Sequence, residues 1–321
     1  MSTDSTSSTR HMLDSDLYPV MDFFPEGFMF TDDNLPVLRA SREELLVMGD
    51  PDRAGVTREE IQAPGVNGPD VRCLLYKPAG DEAGRPGYLH IHGGGYIIGT
   101  AKRSDIQNIS IAEKLGAVVV SVDYRLAPET PVPGPLEDCY AGLAWLHAHA
   151  EALNVDPARI AIGGESAGGG LAAALAILAR DRGEYPICHQ HLTYPMLDNL
   201  TGAPGHEGDP LVGEFVWTRA FNQYGWKSYL GDAEPVAPQV PARLEDFSDL
   251  PSTWLFTAAL DLFRDENIAY AQKLLAAGVP TDFLLYPGAC HGFQMVPGAK
   301  SAERFVTDHR EALARGLSVV L

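Results

Sequence analysis

The chain has little of what staples or metallates a fold. It carries four cysteines in 321 residues: Cys73, Cys139, Cys188 and Cys290. Their spacing fits neither a zinc site nor a disulfide framework, so no metal is expected. Cations are also scarce. Lys and Arg number 24 against 43 Asp and Glu, for a net charge of −19. There is no basic cluster, which argues against nucleic acid and anionic membrane as partners. No apolar run approaches the ~20 residues of a membrane span. The N-terminus shows no basic stretch followed by an apolar one. There is no internal repeat. A reduced, cytoplasmic protein is the expectation.

What is present is an apolar fraction of 45%, enough to bury a large core. Strand-like and helix-like runs alternate from about residue 86 onward. The strands are Tyr88–His92, Ala117–Val122, Ile160–Gly163, His191–Tyr194, Thr253–Ala258 and Thr281–Tyr286. Between them lie the helical segments Ile106–Leu115, Leu136–Ala150, Gly168–Ala179 and Glu266–Ala277. Gly278 reads as a helix C-cap. The alternation predicts an α/β fold with a parallel sheet covered on both faces. Val56–Ala63 and Val71–Lys77 precede it as an antiparallel edge, joined through Gly65-Val66-Asn67-Gly68.

Two motifs carry chemistry. Gly164-Glu165-Ser166-Ala167-Gly168 lies between an apolar strand and a long Ala/Leu helix. A serine on such a strand–turn–helix elbow presents its hydroxyl to substrate. The turn is tight, so Gly164 and Gly168 should have no room for side chains. His92-Gly93-Gly94-Gly95 supplies a glycine loop whose N–H groups can meet a developing oxyanion. Either motif alone is weak. Both together, each after a predicted strand, point to acyl transfer.

A serine nucleophile needs a base, and the base an orienting acid. Of ten histidines, His11, His147, His149, His189, His191 and His309 read as surface or packed residues. His291 differs. It follows a strand and a Pro287-Gly288 turn, downstream of Ser166, on a loop where functional residues concentrate. The acid should follow a strand as well. Asp261, after Thr253–Ala258, is the first choice. Asp265 and Glu266 are rivals, but they fall in the first turn of a helix, where carboxylates complement the dipole. Cys290 reads as a small packed residue or a redox-sensitive thiol, and no elbow surrounds it.

These motifs, with Asp123-Tyr-Arg-Leu-Ala-Pro-Glu129, Asp261-Leu-Phe-Arg-Asp-Glu266 and His291-Gly-Phe293, resemble the hormone-sensitive-lipase-like bacterial esterases. The likeness runs from about Tyr76 to the C-terminus and is weakest between Leu200 and Pro241. It implies an α/β-hydrolase fold: a mostly parallel eight-stranded sheet with helices on both faces and a helical cap. It implies carboxylester hydrolysis without metal or cofactor. By the resemblance Ser166 is nucleophile, His291 base and Asp261 its partner. Gly93, Gly94 and Ala167 would form the oxyanion hole. His92 and Gly95 would brace the loop, and Ala127-Pro128 would be cis.

Two departures stand out. Glu165 replaces the family's usual Asp and should pack beneath the elbow. Tyr96 replaces the usual Phe or Trp and adds a hydroxyl near the acyl site or at its rim. Arg125 and Glu129 form a charge pair in the sequence and should brace the nearby loops.

Residues 1 to about 12 should be disordered. Residues 1–50 are read as a tail with cap helices, and 51–321 as the catalytic domain with a cap insertion at about 200–241. The aromatics of these segments are either ordinary core or pocket lining. Phe24, Phe215, Trp217, Tyr96 and Phe293 are the candidates for the pocket. Related esterases pair through their last strand and helix. Here that places a homodimer contact at Thr281–Tyr286 and Ser301–Leu313.

Three function classes follow. The first is a serine carboxylesterase acting on a small-molecule ester with a short acyl chain. The second is an amide or lactone hydrolase on the same triad. The third is a non-enzymatic receptor, against which an intact His291 argues. Fold alone would not decide among them.

Overall fold

The computed structural model describes residues 8–66 and 68–320. The first seven residues of the expected disordered tail lie outside them, as does Asn67 of the expected turn. Residues 8–12 correct that expectation. Thr9–Met12 is a 3-10 helix, with the Thr9 N–H and Oγ–H bonded to Glu214 at 2.6 and 2.5 Å. The partner lies 205 residues away, so nothing local in the sequence signals it.

Eight strands form one sheet in the order β1-β2-β4-β3-β5-β6-β7-β8. They are β1 Val56–Ala63, β2 Val71–Pro78, β3 Arg85–Ile91, β4 Val118–Val122, β5 Val155–Glu165, β6 His189–Thr193, β7 Ser252–Ala258 and β8 Thr281–Tyr286. Only β2 runs against the rest; β3 through β8 are mutually parallel. All of β3 and β4 is buried, as parallel strands covered on two faces require. Side chains alternate between the faces. Leu89, Ile91, Val120 and Ile162 enter the main core, while Tyr88, Val119 and Ala161 enter a smaller one behind the sheet.

Helices α3 (Gly134–Ala148), α4 (Ala167–Arg182) and α6 (Arg264–Ala276) cover the first face. Helices α2 (Asp105–Leu115) and α7 (Lys300–Gly316) cover the second. Two further helices lie apart from this alternation: α1 (Leu35–Glu44) and α5 (Arg219–Leu230). Their neighbourhood is aromatic. Phe24, Phe28 and Phe30 pack on Phe221 of α5 with ring centroids 5.1, 5.8 and 4.8 Å apart.

Three histidines are buried where β6 meets α7. His189 and His191 lie within β6, and His309 in α7 sets its ring 4.4 Å from that of His191. Burial pushes His189 and His309 down to about 4, and His191 well below its ordinary value. The folded state therefore holds them neutral. A folded value depressed below the unfolded ~6.5 gives stability that is present above ~6.5 and lost as pH falls toward ~4. For His189 and His309 the shift amounts to on the order of 3 kcal/mol each. Melting temperature is thus expected to fall steeply between pH 6.5 and 4, and less steeply in His191→Phe. Identical slopes in both proteins would show that this cluster does not govern acid unfolding.

Candidate active site

The parallel strands deliver the functional loops to one edge of the sheet. Glycine-rich residues 93–95 follow β3, Ser166 follows β5, Asp261 follows β7 and His291 follows β8. Ligand sites in open α/β sheets form outside these carboxyl ends.

Ser166 sits at φ 57°, ψ −120°, a conformation L-residues rarely adopt. The elbow is held from both sides. Ser166 N–H donates to the Thr193 carbonyl at 2.9 Å, and its own carbonyl accepts from Gly170 and Met196. A Cβ on Gly164 would come within 2.2 Å of the Ile91 carbonyl oxygen, and one on Gly168 within 2.1 Å. The expected absence of space is met by backbone, which cannot move aside.

Ser166 Oγ lies 2.9 Å from His291 Nε2, and His291 Nδ1 lies 2.7 Å from Asp261 Oδ2. A carboxylate only accepts, so Nδ1 carries the proton and Nε2 is free to accept from the serine hydroxyl. Asp261 is fully buried and its Oδ1 accepts from Phe263 N–H at 2.9 Å. The loops that carry Asp261 and His291 are tied directly: Leu260 N–H donates to the Ala289 carbonyl at 3.0 Å. The His291 loop is also clasped by the N-terminal segment. Asp14 N–H donates to the Gly288 carbonyl, and Leu13, Leu17 and Val20 pack beside Tyr286 and Ala289.

Gly93 lies against Ser166: a Cβ there would be 3.4 Å from that of the serine. Among the described residues no backbone or side-chain acceptor takes the N–H of Gly93, Gly94 or Ala167. They remain available to an incoming oxygen. Gly95, at φ 61°, underlies Trp217, where a Cβ would meet the indole at 2.1 Å. Trp217 sets its ring 6.3 Å from His291 and donates from Nε1 to Asn222. His92 donates from Nδ1 to the Gly93 carbonyl, and burial pushes it down to about 4, so it is neutral. Its ring stacks on Tyr124, whose hydroxyl bonds the His92 carbonyl.

Glu165 packs below the elbow, on His90 Nε2 at 3.1 Å and Gln107 at 3.0 Å. Burial acts to raise its carboxyl, but the attraction and hydrogen bond of His90 prevail and hold it at about 2. Its longer stem thus reaches a partner across the sheet face instead of perturbing the turn.

Several sequence expectations are corrected. Tyr96 does not line the acyl site. It is buried beneath the loop, stacked on Tyr229 at 4.0 Å, with its hydroxyl on the Met196 carbonyl. Phe293 is also no pocket residue. It is fully buried between Phe256 and Phe305, because the chain turns into a 3-10 helix after Gly292. Phe24 lies at the far end of the aromatic run, separated from His291 by Phe221 and Trp217. Phe215 is buried in the cluster that contains Tyr194. Arg125 and Glu129 are not a pair: Arg125 binds Asp138 and Glu129 binds Arg39. Ala127-Pro128 is cis. Cys290 is buried, and burial pushes its thiol up.

Of the rivals to Asp261, Asp265 pairs with Arg264 on the surface. Glu266 departs from the dipole role expected of it. It is buried, accepts from Leu197 N–H at 2.7 Å and from Thr201, and burial pushes its carboxyl well above the usual range. It ties α6 to the loop leaving β6. Its first-turn position hid this, because the donors come from a distant loop.

Two surface hollows of about 400 and about 390 Å³ lie elsewhere, one beside Phe28 and Leu38 and one between Gly49 and Ile109. Ser166 and His291 are themselves buried, 6% and 7% exposed.

With this geometry in place, comparison with known proteins gives its class. A family profile described as alpha/beta hydrolase fold matches residues 88–295. Esterase LipI of Mycobacterium tuberculosis is 33% identical over 311 residues, covering 94% of this chain and 95% of its own. Carboxylesterase NlhH of the same organism is 33% identical, with 91% and 93% covered. Among solved structures, a bacterial heroin esterase superposes with a TM-score of 0.88 at 39% identity, covering 97% of this chain and 99% of its own. The chain belongs to the α/β-hydrolase family, among its hormone-sensitive-lipase-like members. Within that family it is a carboxylic ester hydrolase.

Proposed function

We propose that Ser166, His291 and Asp261 are the nucleophile, base and orienting acid of this hydrolase, and that its substrates are soluble small-molecule esters with short acyl chains. The observation that carries the assignment is the Ser–His–Asp relay at 2.9 and 2.7 Å, placed on a strained elbow. Ser166 attacks the ester carbonyl as His291 Nε2 takes its proton. The oxyanion that forms is met by the free N–H groups of Gly93, Gly94 and Ala167. His291 then protonates the leaving alcohol, and the acyl-enzyme forms. In the second half His291 activates water, which releases the acid. Asp261 holds the imidazole in its tautomer and stabilises the imidazolium.

The aromatic segments 13–50 and 200–241 act in this reading as the cap. Trp217, whose ring lies 6.3 Å from that of His291, would bound the acyl side. Among the described residues no helix is long and apolar enough to cross a membrane. With a net charge of −19, action in the cytoplasm on dissolved substrate is the consistent reading. A homodimer through β8 and α7 belongs to the same proposal. β8 is an edge strand, and an unpaired edge is a ready docking line.

Substrate size tests the proposal. A small lined pocket buries little apolar surface, so p-nitrophenyl esters of roughly two to eight acyl carbons are expected to be best. The rate should follow dissolved ester and show no jump when an emulsion forms. A maximum at long chains, or activation on emulsification, would reassign the enzyme to lipid surfaces.

A further inference from the structure

The chain has far more acid than base, yet among the described residues two of its arginines, Arg42 and Arg103, have no carboxylate partner. Arg42 comes from α1, and Arg103 from the short 3-10 helix Ala101–Ser104 that follows the glycine loop. Both are partly buried. Among the described residues neither lies within ion-pair distance of an acid. Nearby carboxylates are already taken: Glu43 by Lys102 at 3.3 Å and Glu129 by Arg39 at 2.8 Å.

The partners they do have are poor. Arg42 lies over the Phe24 ring at 4.6 Å and reaches the Phe23 carbonyl only at 3.5 Å, while its Nε is buried with no acceptor. Arg103 points an Nη at the Met295 thioether sulfur, 3.2 Å away, which is a weak acceptor. Burying a donor such as the Arg42 Nε–H without an acceptor is costly, whereas the Arg103 guanidinium is open to solvent at its contact with Met295. The two also repel each other: burial and then the charge of Arg103 push Arg42 down to about 10.

Their position ties them to the reaction. Met295 lies over Gly292, since a Cβ there would be 2.7 Å from its methyl, and Gly292 follows His291. Arg42 rests on Phe24, from which Phe221 and Trp217 lead to His291. Arg103 thus reaches the loop that carries His291, and Arg42 stands at the other end of the aromatic run.

We propose that Arg42 and Arg103 form an anion subsite, and that the esters this enzyme is built for carry a carboxylate on the group remote from the scissile bond. A carboxylate would replace the thioether and the distant carbonyl with charge-assisted bonds. The inference rests on the hydrolase reading above and narrows it to half-esters of dicarboxylic acids and similar anionic esters.

The test compares monomethyl glutarate, dimethyl glutarate and methyl 5-aminopentanoate on the wild-type enzyme, followed by methanol release. The anionic ester is expected to exceed the cationic one in kcat/KM by about tenfold or more, the worth of a charge-assisted hydrogen bond. The ratio of monoester to diester should fall about tenfold in Arg103→Gln and in Arg42→Gln, and recover in part in Arg103→Lys. A merely structural role would lower both rates and leave the ratio intact, which overturns the subsite. So would a wild-type preference for the cationic ester. Calorimetric binding of monomethyl glutarate to Ser166→Ala should weaken about tenfold when Arg103→Gln is added, and unchanged affinity would also overturn the subsite. Hydrolysis of p-nitrophenyl acetate tests the hydrolase reading by itself.

Discussion

Ser166→Ala is expected to lose about 10⁴–10⁶-fold in kcat on p-nitrophenyl acetate while keeping its melting temperature close to that of the wild type. The methyl side chain occupies less space than the hydroxymethyl group and asks nothing new of the backbone. The elbow itself is held by bonds from Thr193, Gly170 and Met196 that do not use the side chain. Removing the oxygen that contacts His291 at 2.9 Å therefore removes the nucleophile alone. A phosphonate ester should label Ser166 in the wild type, as read by peptide mapping. Label on another serine, or near-normal turnover in the variant, would remove the proposed mechanism at its first step.

Asp261→Asn is expected to cost about 10⁴-fold in kcat. The amide would present an N–H₂ group where His291 Nδ1 now finds an acceptor at 2.7 Å. The neutral imidazole then favours the tautomer with its proton on Nε2, which faces Ser166 and cannot take a proton. Phe263 N–H fixes one Asp261 oxygen, so the amide has little freedom to turn its oxygen towards the ring. Asp265→Asn should change kcat by less than about fivefold, since an exposed ion pair such as its contact with Arg264 is worth about 0–1 kcal/mol. Steady-state kinetics on the two variants decide the point. A larger loss in Asp265→Asn than in Asp261→Asn would mean that the acid was misassigned.

Ser166, Asp261 and His291 stand out in the chain because each lies just past the end of a strand. A strand's period and length are local properties, and so is the glycine that a strained turn requires. Ser166, Asp261 and His291 could be placed at loop positions without knowing what lies opposite them. Tyr96 and Phe293 could not. Each stands just beyond a functional loop, and whether its ring turns toward substrate or core depends on Tyr229 or Phe305, far away in sequence. Charge partners failed for the same reason. Arg125 and Glu129 are neighbours in sequence, but stronger geometry was available at Asp138 and Arg39. The two arginines gave no motif at all. Their meaning lies in what they lack, which depends on the folded arrangement of the whole chain.

The order of the sheet was likewise partly legible. Six strands and a two-stranded antiparallel edge could be read from the pattern, and their expected ends fall close to the observed ones except at the start of β5, which begins at Val155 rather than at the expected Ile160. The N-terminal segment was not legible. Its 3-10 helix Ser15–Asp22 contains Pro19 and lacks a clear helical period, and its partners are about 200 to 280 residues away.

That segment has a mechanical consequence. Asp14 holds Gly288, Asp16 caps the start of α7 at Lys300, and Thr9 grips Glu214. Peeled from this end, the chain would first let go of the loop that carries His291, while the eight-stranded sheet stood untouched. Proteolytic trimming or a taut fusion partner at residues 8–22 would then silence the enzyme long before it melted.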